Sequence, residues 1–146
     1  MIYTDKTKKA MKLCYEAHKD QVDKTGIPYV FHPFHVAEQM TGEASTVVAL
    51  LHDVVEDTDY TLDDIAAAGF GKEIVEAVAL MTHEDDVPYL DYVARLKDNP
   101  LAREVKLADL AHNSDLSRLG EIDEETKQRL EKYEKAKAIL KQEPVV

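Results

Sequence analysis

The sequence contains little that would indicate a secreted, disordered or membrane protein. Cys14 is its single cysteine, so no disulfide can form within the chain of 146 residues. Glycine and proline number five each, too few for a loop-rich or disordered chain. No run approaches the roughly 20 apolar residues of a membrane span, and the N-terminus lacks the apolar stretch of a secretory signal. We therefore expect a cytoplasmic protein.

Positive charge is also scarce. Eighteen Lys and Arg residues stand against 29 Asp and Glu residues, which gives a net charge of −11. A field of this sign disfavours binding to nucleic acid and to anionic membranes. It still permits a small phosphorylated ligand, because a bound divalent cation reverses the field locally. An acidic protein that handles phosphates is therefore expected to bind a metal ion.

Helical periodicity is frequent in the sequence. The length of the chain suits one domain over residues 1–146. Apolar residues recur at i, i+3, i+4 and i+7 from Ala10 to Ala17 and predict a first helix. The apolar run within residues 43–55 predicts a buried helix. We predict an all-α fold, a bundle of about eight helices without a significant sheet, and expect residues 143–146 to fray.

The ends of several helices carry recognisable signals. Thr61 and Asp123 are predicted N-caps, because each precedes an acidic first turn. Pro88 and Pro100 are predicted to occupy the first turns of helices, and a short helix is predicted after Pro33.

Three segments place histidines and carboxylates among apolar residues: 28–33 (PYVFHP), 50–58 (LLHDVVEDT) and 106–113 (KLADLAHN). In the second segment, His52 and Asp53 follow five apolar residues, where a carboxylate is costly to desolvate unless it is paired or binds a metal. If the helix continues, Glu56 shares a face with His52, and Asp57 shares one with Asp53. The crowded carboxylates would repel one another, and a cation would relieve that repulsion.

The first and third segments supply further candidate ligands. Lys106, Asp109 and Asn113 share one face of a predicted helix, and His32 lies near the start of another. Two imidazoles and two carboxylates make a mixed nitrogen and oxygen site, which suits Mn, Fe, Ni or Zn better than Mg or Ca. The predicted metal ligands are His32, His52, Asp53 and Asp109. Glu56 and Asp57 are the predicted catalytic residues, because they could position or deprotonate a water activated by the metal.

The three segments together resemble the HD superfamily, and specifically the hydrolase domain of RelA/SpoT-type enzymes and the stand-alone small alarmone hydrolases. That subgroup carries a Pro-Tyr-x-x-His-Pro element, a Leu-Leu-His-Asp-x-x-Glu-Asp-Thr element and a Lys-x-x-Asp-x-x-x-Asn element, in this order. The resemblance covers residues 17–113 approximately. A lone His-Asp pair would be a weak signal, whereas three elements in order and at compatible spacing are a strong one.

The resemblance implies an all-α HD domain with one divalent metal ion, typically Mn²⁺. It also implies hydrolysis of guanosine 3′,5′-bis(diphosphate), ppGpp, at its 3′ position to GDP and pyrophosphate, without the synthetase activity of the bifunctional relatives. By position, the four predicted ligands match the metal ligands, Glu56 and Asp57 match the catalytic acidic pair, and Asn113 matches a nucleotide contact. Lys24, Tyr29 and Lys106 are further candidates for substrate binding.

Two positions depart from the pattern of the resemblance. Relatives usually have Arg where this chain has Asp23, next to Lys24, and a basic residue where it has Leu110. Two positive charges near a polyanionic substrate are thus missing or moved. This favours two alternatives: an HD hydrolase of another nucleotide or small phosphoester, and a nucleotide sensor without turnover.

Structural roles remain open for several of these residues. His52 and Asp53 could form a helix-end pair, Asp109 could pair with Lys106, and Glu56 and Asp57 could begin a loop. Asn113 could cap a helix, and Tyr29 could pack beneath the site. Structural or surface roles are predicted for His18, His35, His83 and His112. The sequence carries no indication of the oligomeric state.

Overall fold

A computed structural model of the chain describes residues 1–142, and the prediction for residues 143–146 lies outside this range. Nine helices form its architecture: α1 (Asp5–His18), α2 (Phe31–Glu38), α3 (Glu43–Leu51), α4 (Val54–Asp57), α5 (Leu62–Ala67), α6 (Lys72–Met81), α7 (Tyr89–Leu96), α8 (Pro100–Asn113) and α9 (Glu124–Lys141). Within the described range, β structure is limited to one isolated antiparallel bridge, Val22 with Pro28. The predicted all-α fold is confirmed. None of the nine helices is long and apolar enough to cross a membrane.

Helix α3 lies at the centre of the fold. Each residue from Ser45 to Leu51 is buried, and the helix packs against α1, α2, α6 and α8. Because neighbours cover α3 on every side, an amphipathic pattern is absent and its sequence is almost uniformly apolar. The residues that follow Leu51 are therefore delivered next to α2 and α8, which both pack against α3.

The helix predicted over residues 43–55 is interrupted in the structure. Helix α3 ends at Leu51, His52 and Asp53 form a turn, and α4 begins at Val54. Asp53 has φ −104° and ψ −2°, in the sparsely populated region next to the helical one. Asp53 and Asp57 are nevertheless separated by one helical turn, as predicted, because the Asp57 amide donates to the Asp53 carbonyl at 2.9 Å.

Most of the predicted helix ends agree with the structure. The side chains of Thr61 and Asp123 cap α5 and α9, and Pro100 opens α8. Two details differ. Helix α2 begins at Phe31, so Pro33 lies within its first turn, where its missing amide costs no hydrogen bond. Pro88 occupies the N-cap position of α7 and not the first turn.

The segment between α1 and α2 is held by a turn at Asp23. One carboxylate oxygen, Oδ1, accepts hydrogen bonds from the Thr25 amide at 2.8 Å, the Thr25 hydroxyl at 2.8 Å and the Ile27 amide at 3.1 Å. Gly26 has a φ of +86°, which residues with a Cβ adopt only under strain. Position 23 is therefore a turn-forming position in this chain.

We predict that Leu50→Ala lowers the free energy of unfolding by about 2–5 kcal/mol, because Leu50 is fully buried in α3 and its truncation leaves a cavity. Urea unfolding of the protein without added metal measures this change. Leu116→Ala is the matched control, since Leu116 is 63% exposed and its loss should matter little. Equal effects of the two substitutions would contradict the central position of α3.

Candidate metal and catalytic site

Four of the predicted site residues, His32, His52, Asp53 and Asp109, lie together and are called the cluster below. His32 extends from α2, His52 and Asp53 lie in the turn after α3, and Asp109 is on α8. One ligand atom from each of these four residues lies within 4.8 Å of the others. Ligands bonded to one ion at about 2.0–2.2 Å are separated from each other by roughly 3–4 Å. Three pairs have this spacing: His52 Nε2 is 3.0 Å from Asp53 Oδ2 and 3.4 Å from Asp109 Oδ1, and His32 Nε2 is 3.8 Å from Asp53 Oδ2.

The orientation of His52 fits a metal ligand. Its Nδ1 lies 2.5 Å from the Ala49 carbonyl oxygen, so this nitrogen carries the proton and donates it. In the neutral ring, Nε2 then bears the lone pair, and it lies close to the carboxylates of Asp53 and Asp109. Nε2 is buried and has no hydrogen-bond partner within residues 1–142. A buried lone pair this close to two carboxylates is stable only with a cation, either a metal ion or a proton, beside all three groups.

The electrostatics of the cluster support the same conclusion. Burial opposes the ionisation of Asp53, but the adjacent His52 outweighs it and lowers the pKa of Asp53 to about 2. Burial likewise opposes the charge of Asp109, but Lys106 and the two histidines hold its pKa well below the ordinary value. Conversely, these two carboxylates overcome burial and raise the pKa of His52. Both carboxylates are thus ionised, and the positive charge that they require beside Lys106 can come from a proton on His52 or from a metal ion in its place.

Lys106 is directed at a predicted ligand and not at an open cavity. Its buried Nζ lies 3.0 Å from Asp109 Oδ2. The rings of Tyr89 and Tyr92 lie 5.6 and 5.3 Å from the same nitrogen, at distances suited to cation–π contacts. Lys106 therefore fixes one oxygen of Asp109 and leaves Oδ1 for the cluster.

His32 is held by a second histidine. Its Nε2 lies 2.8 Å from Asp109 Oδ1, and its Nδ1 lies 2.7 Å from Nδ1 of His112. Burial and the positive charge of Arg118 lower the pKa of His112 to about 4, which leaves the ring neutral with an acceptor nitrogen. If His32 Nδ1 donates a hydrogen bond to His112, the lone pair of His32 Nε2 can bind a metal ion. Histidines that bind metals commonly have such a partner at the other ring nitrogen.

Two further candidates also contact predicted ligands. The Tyr29 hydroxyl donates to Asp53 Oδ2 at 2.5 Å, and Asn113 Nδ2 donates to Asp109 Oδ1 at 3.1 Å. Both side chains also line a cavity of about 520 Å³ beside the cluster. Each residue therefore combines a contact to a predicted ligand with a position where a substrate would lie.

The acidic pair lies at the exposed edge of the cluster. Carboxylate oxygens of Glu56, Asp57 and Asp53 lie within 4.8 Å of one another. The His83 amide donates to Glu56 Oε1 at 2.7 Å and fixes that side chain. Partial burial, and then the charges of Asp53 and Glu56, raise the pKa of Asp57 to about 6. Such a carboxyl group can exchange a proton near neutral pH.

Two cavities open beside the cluster and share Tyr29 and His32. The first has a volume of about 520 Å³ and is also lined by Lys24 and Asn113. The second has a volume of about 600 Å³ and extends towards the exposed side chains of Ile27 and Phe31. Both are large enough for a small organic ligand.

The two departures from the family pattern have structural explanations. Asp23 lines both cavities, but Oδ1 of its carboxylate holds the turn of residues 23–27. Leu110 is fully buried in the core, so a basic side chain at this position could not reach a bound substrate in this packing. Lys24 lines the cavity of about 520 Å³, so one predicted basic residue is present there.

Sequence reasoning missed the position of His112, for which it predicted a structural or surface role. The available signal was its helical spacing, since His112 follows Asp109 by three residues and so lies near it on α8. Arg118 was missed entirely. It lines both cavities from the segment between α8 and α9, and that segment has no periodicity from which a direction could be predicted.

Comparison with known proteins identifies the class. The model of an HD domain family matches residues 10–138, so the chain belongs to the HD domain family. A solved structure described as a metazoan ortholog of SpoT that hydrolyses ppGpp superposes with a TM-score of 0.78 and 26% identity. The superposition covers 97% of this chain and 88% of the other.

Curated relatives give a narrower picture. The mouse guanosine-3′,5′-bis(diphosphate) 3′-pyrophosphohydrolase MESH1 is 37% identical in an alignment 120 residues long, which covers 71% of this chain and 66% of that protein. Its human counterpart is 39% identical in an alignment 109 residues long, which covers 66% of this chain and 60% of that protein. The chain thus spans less than two thirds of the length of either relative.

We predict that His112→Phe weakens metal binding by about 10- to 100-fold, because it keeps the ring but removes the acceptor for His32 Nδ1. Calorimetric titration with Mn²⁺ measures the change. His35→Phe is the matched control, since the exposed His35 ring stacks on His112 at 3.9 Å between ring centroids. Equal affinities of the wild type and His112→Phe would rule out this role of the hydrogen bond.

Proposed function

We propose that the protein is a metal-dependent phosphohydrolase that converts ppGpp to GDP and pyrophosphate by hydrolysis at the 3′ position. The observation that carries the proposal is His52 Nε2, which has no hydrogen-bond partner within residues 1–142 although it lies 3.0 Å from Asp53 Oδ2 and 3.4 Å from Asp109 Oδ1. The acidic pair Glu56 and Asp57 lies beside this cluster. A ligand site with an adjacent proton-transferring group and a cavity has the parts that metal-assisted hydrolysis requires.

We assign the metal ligands to His32, His52, Asp53 and Asp109, and we propose Mn²⁺ as the ion because the donor set mixes nitrogen and oxygen. A bound divalent ion supplies Lewis acidity, which favours attack by water and stabilises charge on phosphoryl oxygens. The two carboxylates are oriented by the protein before any ion binds. Tyr29 donates to Asp53, and Lys106 fixes Asp109.

We propose different roles for the two residues of the acidic pair, Glu56 and Asp57. Glu56 is fixed by the His83 amide through Oε1 and can orient water with its second oxygen. For Asp57 we propose proton transfer, either from the attacking water or to the leaving oxygen. Gln21 supports this position, because its side-chain amide donates to the Asp57 carbonyl at 2.9 Å. These roles need only small motions of side chains that are already in place.

The choice of ppGpp is supported by the relatives, because MESH1 from mouse and human and the metazoan ortholog of SpoT are named for this activity. The cavity of about 520 Å³ offers Lys24 and Asn113 to a nucleotide. We further propose a cytosolic location, which the single, buried Cys14 supports.

Another phosphoester remains the second candidate, and the structure offers a specific reason. No cation is present at the position of Asp23, and Leu110 is buried, so a substrate cannot be contacted by basic residues at these two positions. A nucleotide sensor is the third candidate. The crowded carboxylates of Asp53, Glu56 and Asp57 speak against it, because a binder of anions gains nothing from them.

The test is product analysis by anion-exchange chromatography. Purified protein with Mn²⁺ is expected to release GDP and pyrophosphate from ppGpp, and EDTA should abolish the reaction. Asp57→Asn should lower kcat by about 10²- to 10⁴-fold, because it removes the proton-transferring group. Asp59→Asn is the matched control, since Asp59 is exposed two residues further along.

The alternatives predict other patterns with the same set of reactions. Metal-dependent turnover of GTP, GMP or dAMP, without turnover of ppGpp, would keep the metal site and overturn the substrate. Binding of ppGpp without any product would favour the sensor. Turnover of ppGpp that survives EDTA would contradict the metal-dependent mechanism.

A further inference from the structure

The proposed reaction poses a charge problem that the metal ligands do not solve. The substrate carries two diphosphate arms, and the site is crowded with carboxylates, among them Asp53, Glu56 and Asp57. A divalent ion would compensate the arm that is cleaved. The second arm must then find positive charge elsewhere, because the protein as a whole has a net charge of −11.

Three side chains with a full positive charge line the cavities within residues 1–142: Lys24, Arg118 and Arg129. Lys24 and Arg129 line only the cavity of about 520 Å³, and Arg129 already pairs with Glu125 at 3.4 Å. Arg118 lines both cavities. In the described part of the chain, no carboxylate lies within 4.0 Å of the Arg118 guanidinium.

Arg118 is also held in place before any ligand binds. Its Nη1 donates to the His112 carbonyl at 2.7 Å, and the side chain is half-buried. The His112 ring contacts His32, so one residue separates the guanidinium from the metal cluster. The remaining N–H groups of a guanidinium anchored at one nitrogen are available to phosphate oxygens, which Arg can bind in a forked geometry.

We propose that Arg118 binds the diphosphate arm remote from the scissile bond, which for ppGpp is the 5′-diphosphate. The inference rests on the proposed function for the identity of the nucleotide. It assigns to this chain a cation that comes from the segment after α8, and not from position 23 or position 110. Because Arg118 adjoins both cavities, the arm would lie where they meet, with the base extending into one of them.

The test compares two nucleotides that differ only in that arm: ppGpp and guanosine 3′-diphosphate without 5′ phosphates. Arg118→Gln is expected to raise the KM for ppGpp roughly tenfold or more, the loss typical of a charged hydrogen bond, and to leave the KM for the second nucleotide unchanged. Equilibrium binding of both nucleotides is measured in the Asp57→Asn background, which slows hydrolysis. Arg95→Gln, on the exposed side of α7 away from both cavities, is the matched control.

The outcomes separate this inference from the proposed function. Weaker binding of ppGpp alone, with unchanged affinity for Mn²⁺, supports the role of Arg118, even if no GDP is formed and the proposed reaction fails. Equal losses for both nucleotides would mean a structural role and overturn the inference. So would an unchanged affinity for ppGpp, or the absence of nucleotide binding in the protein with Arg118 intact.

Discussion

The carboxylates of Asp53 and Asp109, which face the imidazoles of His32 and His52 inside the protein, are the constraint on which the site depends. Oxygens of these two carboxylates lie within 4.8 Å of each other, so they need positive charge beside them. Lys106 supplies that charge to only one oxygen, Oδ2 of Asp109. Helix α3 packs against both α2 and α8, so the turn with His52 and Asp53 at its end lies beside the residues that these two helices contribute.

Around the cluster, each predicted ligand has a partner that directs it. The Ala49 carbonyl sets the proton position of His52, His112 contacts the outer nitrogen of His32, and Tyr29 donates to Asp53. These partners come from three different parts of the chain, so the geometry of the cluster belongs to the fold and not to one motif. Outer partners of this kind are what makes a set of side chains a defined metal site.

Much of the fold and of the candidate site could be predicted from the sequence. The apolar run of α3 and the N-cap at Asp123 are local features, and the three motifs contain all four residues that the structure brings together. The break at His52 could not be predicted, because apolar residues resume at Val54 and neither Gly nor Pro marks a helix end there. The position of Arg118 could not be predicted either, since it depends on how an irregular segment returns to the cavities.

The central claim is that one divalent ion binds to the nitrogens of His32 and His52. Pulsed electron paramagnetic resonance of the protein with one equivalent of Mn²⁺ tests it most directly, because directly bound imidazole nitrogens couple to the metal electrons. The account predicts couplings from two nitrogens in the wild type and from one in His52→Ala. A spectrum without nitrogen couplings, like that of Mn²⁺ bound by carboxylates and water alone, would contradict it.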